Sequence, residues 1–448
     1  MRRGALSAAF LALGLAGCVA YTPAPPHPAQ FVAALDARTL EAKPAGAVWS
    51  GADLLAAALT RNPQIAEARA KYLKALAGVK AAKAAPGPSL TLTAEYAADA
   101  PHWGYTTASN IPLDYGARRS TRITTAELQA LQAFYDYGEA VWSVRTDLAR
   151  ARADAEAARE EIVLAQVSVA LRTDRANRLE ARVGAGQDAR ALSITAEADV
   201  AVANRRLAAA RGRANAAMVD LAKALGVSRA VAGALSLAPL SETPPGVAEL
   251  PTWRRDAAVS RRDVLRAVAD YDIAEQGMKL QVATQYPAVS IGPTYFYDHG
   301  VQKYPFDLGL ALPPWDLNRN AIREAEATRA AAGRSLELAQ ANALSAVDTA
   351  SAAFVTAWDD LKRNRDHDVP LAGQTAAAAT RALKAGEGDK VDALAAQAAA
   401  VDAGLALNDA RHAAASANAD LEDALRRSFD PAETAAIKTA MTEVGGTR

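Results

Sequence analysis

The chain has 448 residues and a single cysteine, Cys18. A disulfide framework is therefore excluded, and so is a cysteine-rich metal site. Histidine is scarce: His27, His102, His299, His367 and His412. None pairs with another at the i, i+4 spacing that a helix needs to present two ligands. The four methionines, Met1, Met218, Met278 and Met441, are too scattered for a Cu(I)-type relay. Charge of one sign is missing too, since 50 basic residues balance 50 acidic ones. That balance argues against a nucleic-acid partner, which calls for a basic face. After Cys18 no run of 18 apolar residues occurs, so the sequence offers no transmembrane helix. No catalytic constellation emerges, and neither a cofactor nor a metal site is expected.

What is present begins at the N-terminus. Arg2 and Arg3 precede an apolar run from Leu6 to Leu15, too short to be a permanent span. It ends in Leu15-Ala16-Gly17-Cys18, which resembles a bacterial lipobox, with Cys18 as the lipidation site. The bland alternative is an ordinary signal peptide with a chance cysteine. Ala20, where aspartate would retain a lipoprotein at the inner membrane, favours the outer membrane. Alanine dominates the rest, which suits long helices that pack closely.

An internal repeat organises the chain. Tyr72, Gly78, Lys80, Pro88 and Tyr96 recur 199 residues later as Tyr271, Gly277, Lys279, Pro287 and Tyr295. Gly186, Leu207, Arg211 and Leu221 recur 200 residues later as Gly386, Leu407, Arg411 and Leu421. A period this long means a duplicated domain. The divisions are a signal peptide over 1–17, a lipidated tether over 18–50 and a first repeat over 51–235. A Pro-rich linker over 236–251, a second repeat over 252–428 and a C-terminal tail over 429–448 follow.

Each repeat opens with a helix, about 53–85 and 253–285, the first interrupted at Pro63. Two short strands come next. Leu90, Leu92, Ala94 and Tyr96 alternate with polar residues, as do Val289, Ile291, Tyr295 and Tyr297, with Pro293 as a blemish; 306–312 alternates likewise, and 105–113 is the weakest strand. Helical segments over 117–183 and 318–384 follow, each roughly 100 Å long if continuous, with a kink or break expected at Pro370. Gly184 and Gly186, then Gly386 and Gly388, mark turns into shorter returning helices.

Helices of this length need lateral partners along their whole extent. The strands have the length that spans a bilayer when tilted. In lipid a sheet must close, and four strands cannot. The chain must therefore oligomerise. Tyr96, Trp103, Tyr105, Tyr295, Phe296, Tyr297, Tyr304, Phe306 and Trp315 gather around the strands like an interfacial girdle. A soluble hairpin packed on helices is the alternative to lipid-facing strands.

The run Ala274-Glu275-Gln276-Gly277-Met278-Lys279-Leu280, with Gln285-Tyr286-Pro287, Gly292, Asp298-His299-Gly300, Leu312-Pro313 and Asn318-Arg319-Asn320, resembles the second repeat of TolC-type outer-membrane efflux proteins. Their heavy-metal-resistance branch, the CzcC/CusC-like proteins, is the most similar. Ala57-Ala58-Leu59, Asn62-Pro63 and 114–119 resemble first-repeat elements, so the likeness covers about residues 51–428. Two departures weaken the branch assignment. Arg261-Arg262-Asp263 stands where the family usually has Arg-Pro-Asp, and 312–317 differs from its usual Leu-Pro-Leu-like run.

The resemblance implies a mainly α fold with a membrane β-barrel portion. A homotrimer would close a twelve-stranded barrel, in outer-membrane lipid, on a helical tunnel through the periplasm. It implies a passive conduit served by a periplasmic adaptor and an inner-membrane pump, of resistance-nodulation-division type by preference, for metal ions or small toxic compounds. Gly184, Gly186, Gly386 and Gly388 would form the adaptor-docking tip. Asp392 would face the axis as a periplasmic gate, singly, because Ala395 replaces the usual second aspartate. A channel for type I protein secretion has the same fold. A periplasmic coiled-coil scaffold lipoprotein without a pore is the reading from another class.

Overall fold

The computed structural model describes residues 21–41, 44, 47–298 and 300–446. Cys18 and His299 lie outside the described residues. The chain divides into two compact units, one ending at Thr39 and one running from Leu40 to Arg448. In the first, α1 (Pro28–Asp36) starts on a proline and buries no residue.

In the second unit the repeat is visible element by element. The first copy holds α2 (Gly51–Arg61), α3 (Pro63–Lys83), β1 (Ser89–Tyr96), β2 (Trp103–Pro112), α4 (Gly116–Gly184), α5 (Arg190–Leu225) and the short α6 (Arg229–Gly233). The second holds α7 (Leu250–Ser260), α8 (Arg262–Ala283), β3 (Ala288–Asp298), β4 (Val301–Lys303), β5 (Phe306–Ala311), α9 (Arg319–Arg363), α10 (Val369–Lys384) and α11 (Lys390–Leu425). A last helix, α12 (Pro431–Gly445), follows.

Ser50 and Asp53 form a capping box that starts α2, with Ser50 N donating to Asp53 Oδ2 at 2.9 Å. Pro63 then forces Asn62 into extended backbone and ends α2. Asn62 Oδ1 caps α3 by accepting from Gln64 N at 2.8 Å, and its Nδ2 donates to the Ala224 carbonyl at 2.7 Å. The second repeat, expected to start with one helix over 253–285, breaks at the matching place without a proline. Arg261 is extended there, and its Nη1 donates to the Ala424 carbonyl at 2.7 Å. One tertiary hydrogen bond to the end of the returning helix thus fixes both breaks.

The 69 residues of α4 are continuous. Its partner α5 buries Ala196, Ala203, Ala210, Ala217 and Ala224, every seventh residue. A strict heptad imposes a left-handed supercoil, and alanine at the seam brings the backbones close. In the second repeat the helix does not stop at Pro370. A π turn over Asn364–Asp368 joins α9 to α10, placing the wide turn just where the proline cannot donate to the preceding turn.

The sheet has five strands in four positions. β1, β2 and β3 are antiparallel neighbours, and β4 and β5 both lie on the far side of β3. Phe296 faces Lys303 and Ala288 faces Ala311, one continuous register, so the expected fourth strand is present but interrupted at Tyr304-Pro305. The ladder between β2 and β3 also skips Pro293 and Gly292, and Ser109 Oγ fills in by donating to the Pro293 carbonyl at 2.9 Å.

The end of the segment expected as tether, the expected linker and the expected tail are tied to the core of the second unit. Trp49 is buried and exchanges backbone hydrogen bonds with Ser236 and Ala238. The residues expected as a tail form α12, whose Ile437 and Val444 join Leu54, Tyr137, Val141 and Leu225 in the core of the first repeat. Arg145 of α4 is 4% exposed. Its Nε donates to Glu433 of α12 at 2.7 Å, and its Nη2 donates to Glu422 of α11 at 2.5 Å. Burial pushes the Glu422 carboxyl up, with Arg145 opposing. A second core, around Val347, Phe354, Trp358 and Leu421, serves the second repeat.

Candidate functional site

Residues directly opposite across a sheet share a face, so the register sorts the strand residues. Leu90 faces Ser109, Leu92 faces Thr107, Tyr96 faces Trp103, Tyr105 faces Tyr297, Ile111 faces Ile291, and Ile291 faces Leu308. One face thus collects the leucines, isoleucines and most of the aromatics. The other collects Thr91, Thr93, Glu95, Thr106, Asn110, Ser290, Thr294 and Asp307. The apolar face is bare: Leu92 is 72% exposed and Leu308 63%. No helix among the described residues is long and apolar enough to cross a membrane.

Rings on the apolar face form a row near the hairpin ends, with centroids 5.1 Å apart for Tyr96 and Trp103, 6.2 Å for Trp103 and Tyr105, and 6.3 Å for Tyr105 and Tyr297. Trp315 lies fully exposed at the opposite end. Phe296, grouped with this girdle in the sequence, belongs to the polar face, since it is opposite Lys303 and Thr106. Lys303 Nζ stands 5.4 Å from its ring centroid.

At the far ends of the long helices lie two tight turns. Gly186 (φ +71°) and Gly386 (φ +78°) adopt the left-handed conformation. Gln187 N donates to Arg182 O and Glu387 N to Ala382 O, each at 2.9 Å, the Schellman pattern that ends a helix. Gly184 is the last residue of α4 and faces open space, whereas Gly388 sits tightly against the Ala382–Leu383 backbone.

Sequence reading passed over what joins the two tips. Arg182, at the end of α4, pairs with Asp188 of its own turn at 2.7 Å and with Asp389 at the start of α11. Beside it Val391 of α11 packs against Ala176, Leu179 and Ala196 of the first hairpin. The amide of Val391 donates to Asp389 and, with Arg182 alongside, holds that carboxyl below the ordinary range. The available signal was an arginine in the last turn of one helix and an aspartate at the cap of another. Asp392 is exposed in the first turn of α11.

The histidines are dispersed. His102 Nδ1 is 3.2 Å from the Ala97 carbonyl, His367 contacts Asp368, and His412 Nε2 is 2.6 Å from Asp154. Among the described residues no three His, Cys, Asp or Glu side chains come together as a metal would require.

Fold and strand faces together are those of a channel architecture, a β-barrel portion continued by long paired helices. More particularly, residues 54–227 match the family model for outer membrane efflux proteins. No curated protein matches the sequence. Among solved structures, the outer membrane protein VceC of Vibrio cholerae is 18% identical, with a TM-score of 0.68 over 84% of this chain and 96% of that one. The open state of the MtrE outer membrane channel of Neisseria gonorrhoeae is 18% identical, with a TM-score of 0.69 over 85% and 89%. CusC is 16% identical, with a TM-score of 0.65 over 91% and 98%. The chain therefore has the fold of TolC-type outer-membrane efflux proteins, and its first repeat carries their sequence pattern.

Proposed function

We propose that three copies of this chain form an outer-membrane channel, the passive exit duct of a tripartite efflux system. The single observation that carries this is the sheet: four strand positions, one bare apolar face, one polar face and two open edges. β1 and β5 run in opposite directions, so β1 of one copy continues the antiparallel alternation beside β5 of the next. Closure then puts the apolar face in lipid and the polar face in the lumen.

The helices support the same assembly. Within the chain α4 packs on both α3 and α8, while α9 packs on α8 alone of these. Since α9 matches α4 and α8 matches α3, the vacant flank of α9 receives α3 of the next copy. α10 packs on α11 yet buries none of its 16 residues within one chain, so the rest of its surface is left for a neighbouring copy. A pore-free scaffold has no use for the bare sheet face. The chain performs no chemistry of its own, and cargo is selected by an inner-membrane pump reached through a periplasmic adaptor at the glycine turns. Metal ions or small toxic compounds are the cargo favoured here. Protein secretion would use the same duct, and an ABC exporter as the cognate pump would point to it.

Purified protein in detergent should have the mass of three chains and give discrete conductance steps in planar bilayers. A monomer without conductance overturns the proposal. With Asp392 near the axis, Asp392→Ala raises conductance or weakens block by divalent cations; if both stay unchanged, the constriction lies elsewhere. Mature protein should begin at an acylated Cys18. Mass spectrometry of the N-terminal peptide checks this, and an unmodified N-terminus at another residue refutes it.

A further inference from the structure

We propose that the cleft bounded by α7, the start of α8, the end of α11 and α12 binds a small amphipathic organic anion, an aromatic or apolar body carrying one carboxylate or phosphate. The cleft has a volume of about 930 Å³. Arg262, Arg426, Arg427 and Lys438 line it, and no acidic residue does. Its apolar wall is Trp142, Trp253, Phe429, Ile437 and Met441.

The charges are not all committed. Arg426 is held by Glu139 at 3.0 Å and Asp423 at 2.7 Å. Arg262, Arg427 and Lys438 stand in no ion pair among the described residues. Arg427 instead lies over the Trp253 ring, 4.5 Å from its centroid. Arg262 is pressed against Gly138, leaving no room there for a side chain. Burial pushes its guanidinium down, Glu139 opposes, and Arg426 adds to the depression. A partly desolvated cation that forms no ion pair is relieved by an anion. Trp142 supplies a second sign of a missing ligand, since it is 2% exposed and its Nε1 has no acceptor.

The duplication shows that the fold does not require these cations. Arg262 corresponds to Pro63, one period of 199 earlier, and Arg426 and Arg427 correspond to Gly226 and Val227, 200 earlier. The first copy makes the same helix break and the same left-handed helix end with no charge at any of the three positions. Gly226 has φ +70° and Arg426 φ +50°, so the second copy keeps an arginine where glycine is the unstrained choice. A bare inorganic anion would leave the aromatic wall unused, and a neutral apolar ligand would leave the arginines unpaired.

The test uses the full-length assembly in detergent and isothermal titration with 1-naphthoate. Saturable binding is expected, weakened at least tenfold by Arg262→Pro, which restores the residue of the first copy, and several-fold by Lys438→Gln. Arg262→Gln keeps the backbone and should match Arg262→Pro. The neutral 1-naphthalenemethanol should bind at least tenfold more weakly than naphthoate. The proposal is overturned if the wild-type assembly does not bind naphthoate, as when a neighbouring copy fills the cleft. It is also overturned if the Arg262 variants bind like wild type, if the alcohol binds as well as the acid, or if inorganic phosphate displaces naphthoate at matched concentration.

Discussion

At the scale of single residues, Arg182 carries the link between the hairpin tips. Removing it leaves Asp389 as a helix cap, since Val391 N still donates to it at 3.1 Å, but uncouples the two turns. Arg182→Ala should broaden the distance distribution between spin labels at positions 187 and 387, with helix content unchanged. The pH dependence has a definite sign. Asp389 is held below the ordinary aspartate value of 3.8, so its pairing is intact above that pH and is lost as pH falls through the lowered pKa. Labels on the wild-type protein should report a constant distance from neutrality to about pH 4 and a broader one only in stronger acid. A transition centred near pH 6 would mean that another group controls the tips. The glycines announced these turns because positive φ leaves a compositional mark. The latch left only an arginine in one last turn and an aspartate at one cap, and nothing in the sequence pairs them, because they are 207 residues apart in the chain.

At the scale of elements, the strands were legible and their flaws were not. Period-2 alternation survives in β1, β3 and β5 because each has one face in each solvent. The expected strand over 105–113 was the weakest because Thr, Ala, Ser and Asn in β2 blur the contrast. Pro293 is tolerated in a central strand because the ladder opens at that point. The break in the fourth strand falls at Pro305, which cannot donate. The break at Arg261 was not expected, because Arg262 stands where a proline would mark it and a distant carbonyl fixes it instead. Face assignment gives a sharp contrast between neighbours. Leu92→Arg, in the middle of the apolar face, should destabilise the inserted barrel by about 2–4 kcal/mol, whereas Thr93→Arg on the polar face should cost little. Urea titration of protein folded into lipid vesicles separates the two, and equal losses would reverse or abolish the face assignment.

At the scale of the whole molecule, duplication was the clearest message of the sequence, and the closing of the chain on itself the least clear. Residues 429–448 lie outside both repeats and read as a tail. Yet α12 presents Ile437, Ala440 and Val444 at helical spacing and delivers Glu433 to Arg145. Truncation after Ser428 removes one of the two carboxylates on a buried arginine and bares the core along α2, where Leu54 lies. Breaking a buried ion pair of this kind costs about 3–5 kcal/mol. The truncated protein should melt well below the full chain in calorimetry, and Glu433→Gln should account for part of the drop. An unchanged melting temperature would make α12 an ornament.

The same arginine sets an order of events. Arg145 is made early and its two carboxylates late, 277 and 288 residues further on. A chain emerging from its N-terminus can zip α4 to α5 as soon as both exist, because that seam is local. It cannot bury Arg145 until Glu422 and Glu433 have appeared, since the guanidinium would enter the core unpaired. The first repeat, though first to be formed, is thus held open at its root until α11 and α12 arrive with Glu422 and Glu433.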